Sequence, residues 1–175
     1  MADHADNDND GEIFIYRGGR APIYVSHVRI DKSVEVIKDD SFNDCVCLVQ
    51  VDTYDRIRKV GWRAFRGCNR LRSIDLRSVV VICWAAFDGC KNLTNVEFGN
   101  KLETIGKWAF DGCTSLERLK LPYIITLKFG AFQRCDALTS IELFERLETI
   151  ESLAFYRCDR LQRITIPLKR DLFTF

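Results

Sequence analysis

Apolar and polar positions follow one another along this chain in a pattern that repeats at a fixed interval. Six times a phenylalanine is followed three residues later by a cysteine and six residues later by a leucine; these phenylalanines are Phe42, Phe65, Phe87, Phe110, Phe132 and Phe155. Successive phenylalanines are separated alternately by 23 and 22 residues. A fixed period of this length predicts a solenoid of about six stacked coils, each built from the same supersecondary unit.

The sequence of each repeat unit predicts two short strands and a corner at which the chain changes direction. After the leucine, apolar residues such as Leu71, Ile74 and Leu76 are spaced as in a strand with one face toward the core. A second short extended stretch ends in an apolar residue, and an Ala-Phe pair follows it. We predict one helical turn at this corner. In three coils the turn ends at a glycine that tolerates a positive φ, namely Gly67, Gly89 and Gly112.

The cysteines are expected to belong to the core. Six of the eight occupy the same repeat position, where a small buried apolar residue would serve. We therefore predict reduced, buried thiols stacked in a ladder, in preference to a set of disulfides. Cys47 and Cys83 fall outside the repeat position and are predicted to be the more reactive thiols.

The pattern divides the chain into four segments. Residues 1–12 are predicted to be an acidic disordered tail, since they hold five acidic residues and no Lys or Arg. Residues 13–40 are predicted to supply an N-terminal cap and the first irregular strands, and residues 41–167 the repeat array. Residues 168–175 are either a C-terminal cap or the point at which a longer array is truncated.

The corner sequences AFRGCNRL, AFDGCKNL, AFDGCTSL, AFQRCDAL and AFYRCDRL resemble the BspA-type leucine-rich repeat, with SFNDCVCL as a sixth, less regular copy. The resemblance covers about residues 28–167. It implies a leucine-rich-repeat solenoid in which each coil of 22–23 residues contributes a β-strand and a short helical or 3-10 turn. The family includes surface proteins of bacteria and protozoa that bind host or matrix proteins, and many intracellular eukaryotic members.

The resemblance implies a non-catalytic protein-protein interaction scaffold, and the alternative is a cell-surface adhesin-type repeat protein that binds extracellular or host proteins. Met1 is followed by neither basic residues nor an apolar stretch, so an intracellular (cytoplasmic) location is expected if Met1 is the true start, and a surface or secreted one otherwise. Asn92 lies in an N-glycosylation sequon, which would be relevant if the protein is at the surface or secreted. No apolar run reaches the ~18 residues of a membrane span.

No residue pattern indicates an enzyme, a cofactor, a small-molecule substrate or a metal site. The two histidines, His4 and His27, have no Cys or Ser partner at a suggestive spacing. The segment from Asp6 to Gly11 fits the opening of an EF-hand calcium loop, but Arg17 stands where the bidentate glutamate is required. A solvated acidic tail is the favoured interpretation of this segment.

The charged residues nearly balance, with a net charge of +1, so composition does not indicate nucleic acid. A basic band within residues 56–77 could meet an acidic protein, an anionic lipid surface or RNA. Its residues are spread around the circumference of one coil, so a solvated surface is favoured. The partner expected is another protein, whose identity the sequence does not provide.

Two surfaces are candidates for binding that partner. Outward positions of the main strands form a charged column made of Asp52, Asp75, Glu97, Lys120 and Glu142, and solenoids commonly bind partners on such a concave face. Apolar residues at positions that are polar or small in other coils form the second candidate, made of Trp62, Val80, Val81, Trp84, Trp108, Ile125 and Phe129. Exposed apolar patches mark interfaces, and Trp is enriched among the hot-spot residues that contribute most of the binding energy.

Overall fold

The computed structural model describes residues 13–168 and shows a solenoid built from two series of short parallel strands. The main strands are β1 (Phe14–Tyr16), β2 (His27–Ile30), β4 (Gln50–Asp52), β6 (Ser73–Leu76), β8 (Asn95–Phe98), β10 (Arg118–Leu121), β12 (Ser140–Leu143) and β14 (Arg163–Thr165). The second strands are β3 (Val36–Ile37), β5 (Lys59–Val60), β7 (Val81–Ile82), β9 (Thr104–Ile105), β11 (Thr126–Leu127) and β13 (Thr149–Ile150). The predicted acidic tail, the EF-hand resemblance at Asp6 and the last seven residues of the predicted C-terminal cap lie outside the described residues.

The two faces of the solenoid differ in continuity. The second strands form one parallel sheet in the order β13-β11-β9-β7-β5-β3, with Val60, Ile82 and Ile105 in register. The main strands are divided into three parallel sheets, in the orders β1-β2-β4, β6-β8 and β10-β12-β14. The main-strand face therefore has two interruptions, one between β4 and β6 and one between β8 and β10.

Departures from the repeat pattern accompany both interruptions. Thr53, directly after β4, takes a position that is apolar in the other coils, and its hydroxyl donates to the Asp75 carbonyl at 2.7 Å. In β8 the corresponding residue is Phe98, which packs edge-on against Phe110 with ring centroids 5.9 Å apart. Pro122 directly follows β10 and has no N–H with which to extend a hydrogen-bonded ladder toward β8. These contacts between coils are specific to the two interruptions.

The core consists of stacked ladders of identical residues, as the period predicts. The six phenylalanine rings and Tyr16 form one column, with neighbouring centroids 4.9–5.9 Å apart. Tyr16 has no exposed surface, and its hydroxyl lies 2.6 Å from the Ser41 hydroxyl. Ser41 replaces the alanine of the other coils, so this one polar position in the first coil is explained by its tyrosine partner.

The cysteines of the repeat lie beside the phenylalanine column and are buried, which confirms their predicted position. From Cys68 onward, each thiol donates to the carbonyl of the phenylalanine in the coil before, for example Cys90 to Phe65 at 3.0 Å and Cys113 to Phe87 at 3.1 Å. A cysteine here is small, apolar and able to satisfy a buried carbonyl, a combination that Ala or Val lacks. All eight thiols are free.

The predicted helical turn at each corner is wrong: residues 13–168 contain neither an α-helix nor a 3-10 helix, and the corners are consecutive turns. Two residues per corner have a positive φ, for example 50° at Arg63 and 72° at Gly67. This backbone directs alternate N–H groups to the next coil, where Phe65 donates to the Ala86 carbonyl at 2.7 Å and Gly67 to the Asp88 carbonyl at 2.8 Å. Donors that a helix would use within itself therefore join neighbouring coils.

The positive φ predicted for the corner glycines is confirmed at 72° for Gly67 and Gly89 and 67° for Gly112. A second ladder of positive φ was not predicted, since most of its members are not glycine; they are Asp40, Arg63, Ala85, Trp108, Gly130 and Leu153. Within the described chain no helix is long and apolar enough to cross a membrane.

Candidate protein-binding surfaces

An aromatic cluster lies at the corner that precedes the phenylalanine column. We call Trp62, Trp84, Trp108 and Phe129 the aromatic row. Trp62 and Trp84 occupy the same position of successive coils and are 56% and 38% exposed. Phe129 holds that position two coils later, and Trp108 is one residue further along its own coil; both are half-buried. The structure therefore brings the four predicted aromatic residues to one edge of the solenoid.

Contacts within the aromatic row orient three of its four members. The rings of Trp84 and Trp108 are 6.4 Å apart at an interplanar angle of 71°, and those of Trp108 and Phe129 are 5.4 Å apart at 85°. The Arg63 guanidinium lies 5.7 Å from the centre of the Trp84 ring, within the range of a cation–π contact. Edge-to-face packing thus joins the rings of Trp84, Trp108 and Phe129, and among the described residues Trp62 takes no part in it.

Gly130 provides the space that the Trp108 indole occupies. A Cβ atom at Gly130 would lie 2.6 Å from Cδ1 and 2.8 Å from Nε1 of Trp108. Trp108 itself has a φ of 52°, a conformation that is strained for a bulky residue. Sequence reasoning singled out Trp108 and missed the glycine beside it. The sequence signal for Gly130 is that the other coils have a larger residue at the same repeat position.

The predicted aliphatic members lie apart from the aromatic row. Val80, Val81 and Ile125 are half-buried. Glu103 lies between Val80 and Ile125 in the stacked column, because its N–H donates to the Val80 carbonyl and its own carbonyl accepts from Ile125. Lys59 and Thr104 flank Val81 in the same way. These three residues are separated by polar neighbours and do not extend the aromatic surface.

The charged column of the main-strand face is largely neutralised within the chain. Lys120 lies 3.7 Å from Glu142, and Arg77 contacts Asp75 at 2.6 Å and Glu97 at 3.4 Å. The Arg77 hydrogen bond lowers the pKa of the Asp75 carboxyl from its usual value.

Asp52 also has a counter-ion. It pairs with Arg29 at 3.5 Å, from the coil before. Sequence reasoning missed Arg29, which the register places directly opposite Asp52. The two sheet interruptions also divide the column, so that it does not form one continuous charged surface.

The interruption between β8 and β10 forms a cleft of about 370 Å³. Its walls include Val96 and Phe98, which are half-buried although the corresponding residues of β6 and β10 are buried. Arg118 and the Lys120–Glu142 pair stand at its rim. The cleft presents apolar surface beneath mixed charges. Phe98 and Pro122 depart from the repeat pattern here, but sequence reasoning did not connect these departures with strand separation.

A third concave surface of about 460 Å³ lies at the outer corner, over Gly89 and Gly112. Arg134, which lines it, donates two hydrogen bonds of 2.8 and 2.7 Å to the buried Asp111. Burial raises the pKa of Asp88, and the nearby Asp111 carboxylate adds to that effect. These acidic groups already have arginine partners, so the arrangement is one of structural ion pairs between coils.

The described thiols and acidic groups show no arrangement typical of a reactive centre. No group of three or more His, Cys, Asp or Glu residues within residues 13–168 could hold a metal ion. Burial raises the pKa of Cys45 to about 11 and also raises that of Cys83, which disfavours the nucleophilic thiolate.

The model of the BspA type leucine rich repeat region matches this chain in six copies, over residues 22–122 and 76–173. A leucine-rich repeat protein of T. pallidum is a structural neighbour with 27% sequence identity and a TM-score of 0.78; the match covers 87% of this chain and 73% of that one. No curated protein matches the chain significantly.

Two further structures share the fold at lower identity. A leucine-rich repeat protein of Bacteroides ovatus ATCC 8483 has 22% identity and a TM-score of 0.58, over 85% of this chain and 48% of that one. A leucine rich cell surface protein of Faecalibacterium prausnitzii A2-165 has 17% identity and a TM-score of 0.50, over 83% of this chain and 61% of that one. With six family copies spanning most of its length, the chain belongs to the BspA-type leucine-rich repeat family.

Proposed function

We propose that this chain is a non-catalytic scaffold that binds another protein through the aromatic row. Proteins of this repeat family generally serve protein-protein interaction and are generally non-enzymatic. The observation that carries the proposal is the exposure of Trp62 and Trp84 side by side on a corner whose other outward positions are mostly polar.

The geometry of the aromatic row suits a protein partner for a physical reason. Large aromatic side chains contribute most when a partner removes them from water in an orientation they already hold, since little side-chain entropy is then lost. Trp108 packs edge-to-face against both Trp84 and Phe129, and the Arg63 guanidinium lies over the Trp84 ring. The row thus combines an apolar centre with a polar edge formed by Arg63 and its partner Asp40, which is the composition of a typical interface.

The charged column is the weaker candidate surface. Its carboxylates have counter-ions within the chain, at Arg29, Arg77 and Lys120, so a partner is not needed to neutralise them. A partner that bound there would have to displace or share these ion pairs. The aromatic row carries no such cost.

Affinity capture tests the proposal. The immobilised chain is exposed to a lysate of the source cells beside two variants, Trp62→Ser with Trp84→Ser, and Glu97→Gln with Glu142→Gln. We expect a protein that wild type and the charge variant retain and that the aromatic variant loses by about tenfold or more, a change of ~1.4 kcal/mol in binding. The retained protein is then purified and its affinity for all three chains measured by calorimetry.

Two results would count against the proposal in different ways. Loss with the charge variant and retention by the aromatic variant would leave a scaffold that binds through the main-strand face. Retention of no protein by the wild-type chain would contradict the scaffold itself. Circular dichroism of each variant establishes that it is folded before capture.

The adhesin alternative and the location of the protein stay predictions. They are tested by sequencing the N-terminus of the mature protein from its source and by measuring the mass of the peptide that contains Asn92. A removed leader together with a glycan at Asn92 would favour the adhesin. An unmodified Asn92 and a retained Met1 would favour the intracellular scaffold.

A further inference from the structure

The interruption between β4 and β6 leaves a backbone donor unpaired. In most coils the residue just before the main strand donates its N–H to the preceding coil, as Val49 does to the Ser26 carbonyl at 2.8 Å and Thr94 to the Arg72 carbonyl at 2.9 Å. Arg72 holds this same position in the coil that contains β6. Among residues 13–168 its N–H donates to no backbone carbonyl. The sheet therefore presents a free N–H where the strands part.

A cavity of about 360 Å³ opens at this point, lined by Val49, Arg70, Arg72 and Asn92. Among the residues that the structure describes, its lining contains two cationic side chains and no carboxylate. Asn92 is fixed in the wall, because its Nδ2 donates to the Asn69 carbonyl at 2.6 Å. The lining thus combines two positive charges, the amide group of Asn92 and the N–H of Arg72.

The guanidinium groups of Arg70 and Arg72 lack the carboxylate partners that several others of the basic band have. Arg63, Arg66 and Arg77 are paired with Asp40, Asp88 and Asp75, at distances of 3.0, 3.1 and 2.6 Å. Within the part of the chain that the structure describes, the side chains of Arg70 and Arg72 make neither an ion pair nor a hydrogen bond. Their donors remain available to a ligand.

We propose that this cavity binds a phosphate monoester or free phosphate dianion between Arg70 and Arg72. A guanidinium group donates two parallel hydrogen bonds to an oxyanion, and a phosphate has enough oxygens to accept from both arginines and from the Arg72 N–H. Two guanidinium charges balance a dianion, whereas a single carboxylate would leave one of them uncompensated. The cavity is larger than a phosphate ion, so it has room for the atoms that carry the phosphate group.

The second interruption provides an internal comparison. Glu117 directly precedes β10, as Arg72 directly precedes β6. The Glu117 N–H likewise donates to no backbone carbonyl among the described residues. Ser115 stands where Arg70 does. The same backbone defect thus carries a negative side chain, so strand separation alone does not create an anion site. The proposal depends on the arginines and is independent of the function proposed for the aromatic row.

Titration of the full chain, labelled with ¹⁵N, tests the site by NMR. Inorganic phosphate, O-phosphoserine and acetate are added in separate titrations at constant ionic strength. We expect saturable shifts of the Arg72 amide and the Asn92 side-chain amide with phosphate, and none with acetate at the same concentration. Saturation by O-phosphoserine at about tenfold lower concentration than phosphate would identify a carried phosphate group as the ligand. Equal affinity would identify the free ion.

A charge-matched variant pair completes the experiment. Arg70→Gln with Arg72→Gln should abolish saturation. Arg58→Gln with Lys59→Gln removes the same two charges from around β5, on the other face of the solenoid, and should leave saturation intact. Shifts that grow linearly without saturation, that are as large with acetate, or that weaken equally in both variants would overturn the proposal. The spectrum of each variant before titration shows whether it is folded.

Discussion

Replacement of Phe110 by alanine would test the stacked core at its centre. Phe110 has no exposed surface, and its ring lies 5.0 Å from that of Phe87 and 5.2 Å from that of Phe132, nearly parallel to both. Phe98 packs against it edge-on. The Phe110 N–H donates to the Ala131 carbonyl at 2.8 Å, so the backbone at this site is tied to the next coil.

The expected cost follows from these contacts. Removal of a buried phenylalanine ring costs about 3–5 kcal/mol through lost transfer free energy and the cavity left behind. The upper half of that range, about 4–5 kcal/mol, applies here, because inter-coil hydrogen bonds prevent the coils from closing over the cavity. Phe155 is half-buried, and its one ring neighbour among residues 13–168 lies at 5.9 Å, so Phe155→Ala should cost only about 1–2 kcal/mol.

Urea unfolding followed by far-ultraviolet circular dichroism and by tryptophan fluorescence measures both free energies of unfolding. Coincidence of the two signals checks that the array unfolds in one transition, which repeat proteins do not always do. Phe110→Leu serves as a control and should cost less than the alanine variant, because it retains part of the ring volume. A cost below about 1 kcal/mol for Phe110→Ala, or one no larger than that of Phe155→Ala, would refute the stacked-ladder account.

Two further predictions concern the aromatic row and the thiols. Gly130→Ala should destabilise the fold by about 1–3 kcal/mol and red-shift the tryptophan emission, because the new Cβ collides with the Trp108 indole; urea unfolding and fluorescence spectra measure the two effects. Titration of the native protein with a thiol reagent should modify Cys47 and Cys83 first, since both are half-buried and the six thiols of the ladder are buried; mass spectrometry of digested samples identifies the order.

Gly89→Ala is the matched control for Gly130→Ala. Gly89 has a positive φ of 72°, but a Cβ there would meet nothing within 4 Å. The control should therefore show backbone strain without a change in fluorescence. An unchanged emission spectrum in Gly130→Ala would contradict the contact with Trp108. For the thiols, early modification of Cys113 at the centre of the ladder would contradict its burial.

The repeat period was sufficient to predict the solenoid, because each coil places the same residue type at the same depth. Phe110 and Cys113 needed no knowledge of distant parts of the chain, since their own coil and its two neighbours have the same sequence pattern. The positive φ of Gly67 could be predicted for the same reason. The positive φ of Arg63 could not be predicted, because most coils have a residue other than glycine at that position.

The predicted helical turn at each corner shows where the sequence pattern was not sufficient to predict the structure. The sequence Ala-Phe-x-x-Cys is compatible with donors that bond within the corner and with donors that bond to the next coil. The choice depends on whether a carbonyl such as that of Ala86 lies within reach of the Phe65 N–H, and this is a property of the stacked coils. Local propensity therefore favoured a helix that tertiary hydrogen bonding replaced with turns.

The candidate surfaces could likewise be predicted only in part from the sequence. The position of Trp62 and Trp84 on one corner followed from the repeat register alone. The edge-to-face contacts of Trp108, the Arg29 counter-ion of Asp52 and the free N–H of Arg72 all depend on how one coil meets the next.

The sequence by itself thus determined the fold, the depth of each repeat position and the corner on which the aromatic residues lie, because these depend on a period that every coil repeats. Only the tertiary structure decided where the main-strand face opens, which charges are paired and which donors remain free. Those features arise at single contacts between residues 22 or 23 positions apart, where one departure such as Thr53 or Pro122 changes the hydrogen bonding without changing the period.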